Sequence, residues 1–170
     1  MKNFDIQNQV VIMCGLSGSG KTFYASQLEK DGYVRLSTDA IIWETVGKEI
    51  INLSKEEQKG LFSKSRVEAK KRFIELLKAN KKVVFDSTHC KRSSRDEIRN
   101  ICTDFKVKPI FVYCHAEKDE LEHRLSQRKG MGLDDLIVTP EEFSEYWNGF
   151  ERPHEDETDF IFLNDFSMKQ

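Results

Sequence analysis

The sequence predicts an α/β fold with a mostly parallel sheet, and three observations carry that prediction. Short runs rich in β-branched and aromatic residues alternate with longer helical patterns. The first run, Val10 to Cys14, is apolar throughout, as a central strand covered on both faces requires. A glycine-rich stretch and then a helical pattern follow it directly. The 170 residues suit a single domain. A chain of this length buries roughly 70% of its unfolded surface, enough for one substantial core.

The elements follow in order. A helix runs from Lys21 to about Lys30, and Asp31-Gly32 breaks it. Tyr33 to Leu36 is the second strand, and Ala40 to Val46 a short helix. Ser54-x-x-Glu57 is a capping box that opens a long charged helix, which runs to about Ala79 and ends at Asn80. Val83 to Phe85 is the third strand, and Ser93 to Phe105 is helical. Ile110 to Cys114 is the fourth strand, with Pro109 near its start, where a missing N–H is tolerated. Glu117 to Lys129 is helical and Gly130-Met131-Gly132 breaks it. Thr139-Pro140-Glu141-Glu142 supplies an N-cap, a proline at the first helical position and a capping glutamate. Phe143, Tyr146, Trp147 and Phe150 then recur at i, i+3, i+4, i+7, which reads as an aromatic face packed on the core. Phe160 to Leu163 is the fifth strand. The whole is a three-layer αβα sandwich in one domain, 1–170, with residues 129–139 as a small lid segment within it.

Composition excludes several classes. The net charge of −2 gives no global basic field to hold nucleic acid, although a local groove stays open. Cys14, Cys90, Cys102 and Cys114 form no C-x-x-C pair, and no Cys/His cluster has zinc-ligand spacing. They read as small apolar fillers of a cytoplasmic protein. There is no apolar signal core and no stretch of membrane-spanning length, so no membrane partner is expected.

Gly15-Leu16-Ser17-Gly18-Ser19-Gly20-Lys21-Thr22 fits the phosphate-loop pattern G-x-x-x-x-G-K-[ST] in full. The glycines let the backbone curl so that successive N–H groups point at phosphate oxygens, and the following helix adds its positive dipole end. Gly15, Ser17, Gly18, Ser19, Gly20, Lys21 and Thr22 are the expected nucleotide contacts. Lys21 supplies charge to the β- and γ-phosphates, and the Thr22 hydroxyl is an expected Mg²⁺ ligand. A glycine-rich turn that only caps a helix is the plainer reading. A chance match is well below about one in a hundred per chain, and the strand before and helix after lower it further.

No D-x-x-G switch or N-K-x-D base-reading motif marks a GTPase, and the chain is short for an oligomeric motor. A small kinase using ATP and Mg²⁺ remains. Such an enzyme needs an acceptor-activating group, a carboxylate near Mg²⁺ and mobile cations over the transferring group. Ligands of an open α/β sheet bind beyond the carboxyl ends of its strands. Ser37-Thr38-Asp39 and Asp86-Ser87-Thr88-His89 both fall there. Asp39 is the candidate base for an acceptor hydroxyl; otherwise Thr38 or Asp39 caps the helix at Ala40. Asp86 is the candidate to hold Mg²⁺ through water; otherwise it caps a turn or helix. Arg124 and Arg128, at i and i+4 before the glycine break, could close over ATP, or form a solvated basic face at a helix C-terminus. Arg95 contacts a phosphate or is a surface arginine.

These residues resemble the polynucleotide-kinase-like group of P-loop kinases, related to zeta-type toxins and small-molecule kinases. The match is G-x-S-G-S-G-K-T at Gly15 to Thr22, S-x-D at Ser37 to Asp39, D-x-T-H at Asp86 to His89, and R-x-x-x-R at Arg124 to Arg128. The resemblance implies a five-stranded parallel sheet of order 2-3-1-4-5, with Asp39 as general base toward a 5′-hydroxyl and Arg128 as the lid arginine that meets the phosphates. Two positions depart from the pattern. His89 replaces an asparagine, and Ile42 stands where the nucleic-acid kinases of the group often carry an acceptor-gripping arginine. Motif order leans the acceptor slightly toward a polynucleotide 5′-hydroxyl, against which the chain's acidity and Ile42 argue, and the alternative is a hydroxyl-bearing small molecule (a sugar, antibiotic or metabolite). A nucleotide-binding regulatory protein without catalysis is the reading from a different class. A nucleoside monophosphate kinase would need phosphate-gripping arginines, and Arg35, Arg66 and Arg72 read instead as strand or helix surface. Asn164 reads as a strand-ending turn residue rather than a base contact.

Overall fold

The computed structural model describes residues 9–130, 132–133, 136–157 and 159–164. Strands β1 (Val10–Cys14), β2 (Val34–Ser37), β3 (Val83–Asp86), β4 (Pro109–His115) and β5 (Phe160–Asn164) form one sheet in the order β2-β3-β1-β4-β5. Every neighbouring pair is parallel. The order is the one the family resemblance implied, and periodicity alone did not carry it. Pro109 is the first residue of β4, opposite Val10.

Helices α1 (Lys21–Lys30), α2 (Thr38–Val46), α3 (Lys55–Lys78), α4 (Arg92–Asp104), α5 (Lys118–Ser126) and α6 (Pro140–Gly149) connect the strands. Alternation along β1 divides the core. Val11 and Met13 face α1 through Ala25 and Leu28. Val10 and Ile12 face α3 and α4 through Ala69, Phe73, Leu77, Ile98 and Cys102. A third cluster lies at the carboxyl edge of the sheet, where Leu16 meets Ala116, Leu121, Leu125 and Phe143.

Both capping boxes form as the sequence predicts. Ser54 Oγ accepts from the Glu57 amide while Glu57 accepts from the Ser54 amide, and Thr139 and Glu142 repeat the exchange. Asn80 follows α3 in the left-handed region, with φ of 53°. Four expectations are corrected. The second strand is shifted one residue on, to Val34–Ser37. A 3-10 helix, Gly47–Asn52, follows α2 where no element was predicted. Helix α5 stops at Ser126, three residues early, because the Arg128 amide turns back onto Leu125 O in a tighter turn. On α6, Phe143 is buried, but Tyr146 is 42% exposed and lies outside the packed stripe.

Cys14, Cys102 and Cys114 are buried and unpaired, as apolar fillers would be. Burial pushes each of the three thiols up to about 12. Among the described residues no helix is long and apolar enough to cross a membrane.

Candidate functional site

The loop between β1 and α1 is built by three glycines at positive φ, namely Gly15 at 138°, Gly18 at 84° and Gly20 at 91°. Gly15 is the tightest: a Cβ there would lie 2.3 Å from Cys114 O. Its amide donates to Thr88 O at 3.0 Å, which ties the loop to the end of β3. Lys21 is buried, and its Nζ donates to Leu16 O at 2.8 Å. Ser19 Oγ is buried inside the loop, with no hydrogen-bond partner among the described residues.

The carboxyl edge brings the predicted residues of three strands together. Asp86 Oδ2 accepts from Thr22 Oγ1 at 2.9 Å, so the two candidate metal residues are in contact. Asp86 ends β3 and caps no helix, because Lys91 stands at the start of α4. Thr38 Oγ1 donates to Ser87 Oγ at 3.2 Å, joining the loop after β2 to the loop after β3. The cap of α2 is Ser37, whose hydroxyl accepts from the Ala40 amide at 3.2 Å. Capping by Thr38 or Asp39 is therefore overturned. Asp39 is half-buried in the first turn of α2. Burial raises the Tyr146 hydroxyl, as do the charges of Glu142, Glu145 and Asp39, while Arg66 opposes them.

The two arginines of α5 and its extension behave differently. Arg124 pairs with Glu120 at 2.7 Å, and its Nη1 donates to Gly18 O at 3.1 Å, which places a cation on the phosphate loop. Arg128 Nη1 donates to Leu136 O at 2.9 Å. Both guanidiniums are half-buried, so neither forms the solvated basic face. Leu136 is itself buried against Ile42 and Ile50. Within the expected lid, residues 131, 134 and 135 lie outside the described residues.

Two sequence candidates prove structural. Arg95 is fully buried, bonded to both oxygens of Glu157 at 2.9 and 2.6 Å, to His89 O at 3.2 Å and to Glu151 O at 2.9 Å. No face of it is left for a phosphate. His89 is buried at φ of 41°, its ring edge-on to Phe85. Its Nδ1 lies 2.8 Å from Met13 O; a carbonyl only accepts, so Nδ1 carries the proton. Burial holds His89 down at about 4, so it is neutral and takes no part in charge stabilisation near neutral pH.

One site residue was missed. Arg35 on β2 reaches Asp86 Oδ2 with Nε at 3.1 Å and Nη2 at 2.8 Å. It shares its side of the sheet with the buried Tyr33, and a charge on that inward position was the available signal.

The arrangement fits a polyphosphate with a hard divalent cation. The loop supplies amides at a helix N-terminus, a buried ammonium and an unpartnered buried hydroxyl. Thr22 and Asp86 supply adjacent oxygen donors of the type such a cation takes. No group of three or more His, Cys, Asp or Glu among the described residues offers another metal centre.

The fold and the loop together define a P-loop domain of the kinase-like kind. A family model described as an AAA domain matches residues 10–153, and the chain belongs to that family. No curated protein sequence matches the chain. Among solved structures it is similar to a gluconokinase from Sinorhizobium meliloti 1021, with TM-score 0.63, 21% identity, and cover of 91% of this chain and 81% of that one. It is similar to a sugar kinase from Janibacter sp. HTCC2649, with TM-score 0.64, 19% identity, and cover of 92% and 85%. Kti12 from Chaetomium thermophilum, solved in complex with ADP-AlF3, gives TM-score 0.61 and 11% identity, with cover of 91% and 88%. At these identities the likenesses establish the fold.

Proposed function

We propose that this protein is an ATP-dependent kinase that transfers the γ-phosphoryl group to a hydroxyl acceptor. The observation that carries the reading is the contact of Thr22 with Asp86 beside a complete phosphate loop, with Arg124 bonded to that loop from α5. Backbone amides from Gly18 to Thr22 and the Lys21 ammonium hold the β- and γ-phosphates. Thr22 and Asp86 would hold Mg²⁺, which supplies positive charge to the transferring group when bound. Arg124 adds charge from the lid side. Arg128, which donates to Leu136 O, meets the phosphates in the closed complex. Asp39 takes the acceptor's proton. Ser37, and not Asp39, caps α2.

The acceptor is a hydroxyl-bearing small molecule rather than a nucleic-acid end. Ile42, at the position where the related nucleic-acid kinases carry an arginine, is fully buried against Leu136 and Ile50 and offers no charge to an acceptor phosphate. The sugar-kinase likenesses accord with that acceptor class. The test is phosphate transfer from γ-labelled ATP with Mg²⁺ to a panel of sugars, sugar acids, aminoglycosides, nucleosides and 5′-hydroxyl oligonucleotides. Label should appear on one small-molecule class. Asp39→Asn should lower kcat by about 10² or more with ATP binding retained. Full transfer by that variant would remove Asp39 from the mechanism, and tight ATP binding without label on any acceptor would turn the reading to a nucleotide-binding regulator.

A further inference from the structure

Arg35 has no place in the scheme above, yet it is bonded to one of that scheme's principal residues. It sits on β2 opposite Val84, and its guanidinium runs along the α1 face of the sheet to Asp86. Both side chains are nearly sequestered, at 11% and 4% exposure. Three donors therefore converge on Asp86 Oδ2: Thr22 Oγ1, Arg35 Nε and Arg35 Nη2. A carboxylate meant only to attract a metal ion would be left uncompensated, or held by neutral donors. Here a fixed cation already neutralises it, and the buried Lys21 ammonium stands one residue before Thr22. Arg35 and Asp86 thus form a buried pair of opposite charges at the edge of the phosphate loop.

A carboxylate so compensated attracts a lone divalent cation weakly, because the guanidinium beside it repels the ion. Burial sharpens the effect, since solvent screens a guanidinium–metal repulsion poorly at such a depth. We infer that Arg35 is a resident counter-ion that keeps the Thr22–Asp86 pair closed to a free divalent cation and admits one only in company with a bound nucleotide. The inference rests on the proposed nucleotide site and deepens it, by making Arg35 a positioning residue that acts through Asp86 and sets the order in which metal and nucleotide enter. A strap that merely fastened β2 to β3 would change stability and leave cation preference untouched.

The deciding experiment follows free Mn²⁺ by electron paramagnetic resonance, with wild-type protein, Arg35→Gln and Arg35→Lys, each with and without ADP. Nucleotide-free wild type should show no tight Mn²⁺ binding, and Arg35→Lys should behave like it. Nucleotide-free Arg35→Gln should bind Mn²⁺ at least about tenfold more tightly than wild type, because the Asp86 charge is uncovered. With ADP present, wild type and Arg35→Gln should both bind the ion. In EDTA, wild type should bind ADP within a few-fold of its affinity in Mg²⁺, and Arg35→Gln should lose more. Tight Mn²⁺ binding to nucleotide-free wild type overturns the inference whatever the variants do, and so does an unchanged Mn²⁺ affinity in folded Arg35→Gln. Failure of every protein to bind ADP, with or without metal, would instead sink the proposed function, while the Mn²⁺ comparison still decides Arg35.

Discussion

Replacing Gly15 with alanine tests how the phosphate loop is held to the sheet. Its φ of 138° lies in a region that side-chain-bearing residues rarely occupy, at a cost of about 1–3 kcal/mol. The added Cβ would also sit 2.3 Å from Cys114 O and 2.9 Å from Ser19 Oγ. The serine hydroxyl can rotate away. The carbonyl cannot: Cys114 lies in β4, beside β1 on one flank and opposite Leu163 of β5 on the other. Forcing these backbones apart adds about 1–3 kcal/mol, as overpacking does elsewhere. The expected total is roughly 4 kcal/mol, a large share of the about 5–15 kcal/mol that stabilises a typical domain.

Gly20→Ala is the matched control. Its φ of 91° is also left-handed, but nothing lies within 4 Å of the added Cβ. Only backbone strain remains, about 1–2 kcal/mol. Urea unfolding separates the two. With a slope near 2 kcal/mol/M, the midpoint should fall by roughly 2 M for Gly15→Ala and by under about 1 M for Gly20→Ala. Equal midpoints would refute the reasoning, because they would show that the approach to Cys114 O costs nothing beyond the φ angle.

The remaining predictions concern the groups that hold the site from outside. Arg95→Met leaves Glu157 buried beside Arg99 alone and should cost about 3–5 kcal/mol in urea unfolding, while Arg95→Met with Glu157→Met should recover part of that loss. His89 sits at about 4 against an ordinary 6.5 because of burial, so the unfolded chain binds the extra proton between those values. Its contribution is therefore intact above pH 6.5 and lost as pH falls toward 4, a loss of roughly 3 kcal/mol that His89→Asn should flatten in unfolding measured across that range. Burial opposes ionisation of Glu157, but bonds from Arg95, the His154 amide and Arg99 outweigh it and hold the carboxyl at about 2; its contribution is present above pH 4.5 and lost between 4.5 and 2. Ile42→Arg should lower stability by about 3 kcal/mol or more, since it puts a charge among Ile50 and Leu136. A neutral result in thermal unfolding would mean that position 42 opens toward the acceptor.

The parts of the site that were legible are those whose signals are local. The phosphate loop is eight consecutive residues, and both capping boxes are four, so their spacing alone fixes the hydrogen bonds that form. Ser37-Thr38-Asp39 was less decisive, because all three residue types cap helices. Only the extended backbone of Ser37 selects it as the cap. Arg95 was illegible for the opposite reason. Its partner Glu157 lies 62 residues away, and no periodicity of α4 reports a charge waiting before β5.

Arg35 lies between these cases, and it shows what a strand pattern can carry beyond the strand. Just before β2, Tyr33 is buried and Arg35 is the next residue on the same side, so alternation commits a guanidinium to an inward position. Such a charge requires an anionic partner within reach. The flanking strand β3 places Phe85 beside Leu36 and ends on Asp86 beside Ser37, and that acid meets the guanidinium. An inward basic residue one strand from a phosphate loop therefore points to the carboxylate at the loop's edge, and to a centre whose charge balance is set before any ligand arrives.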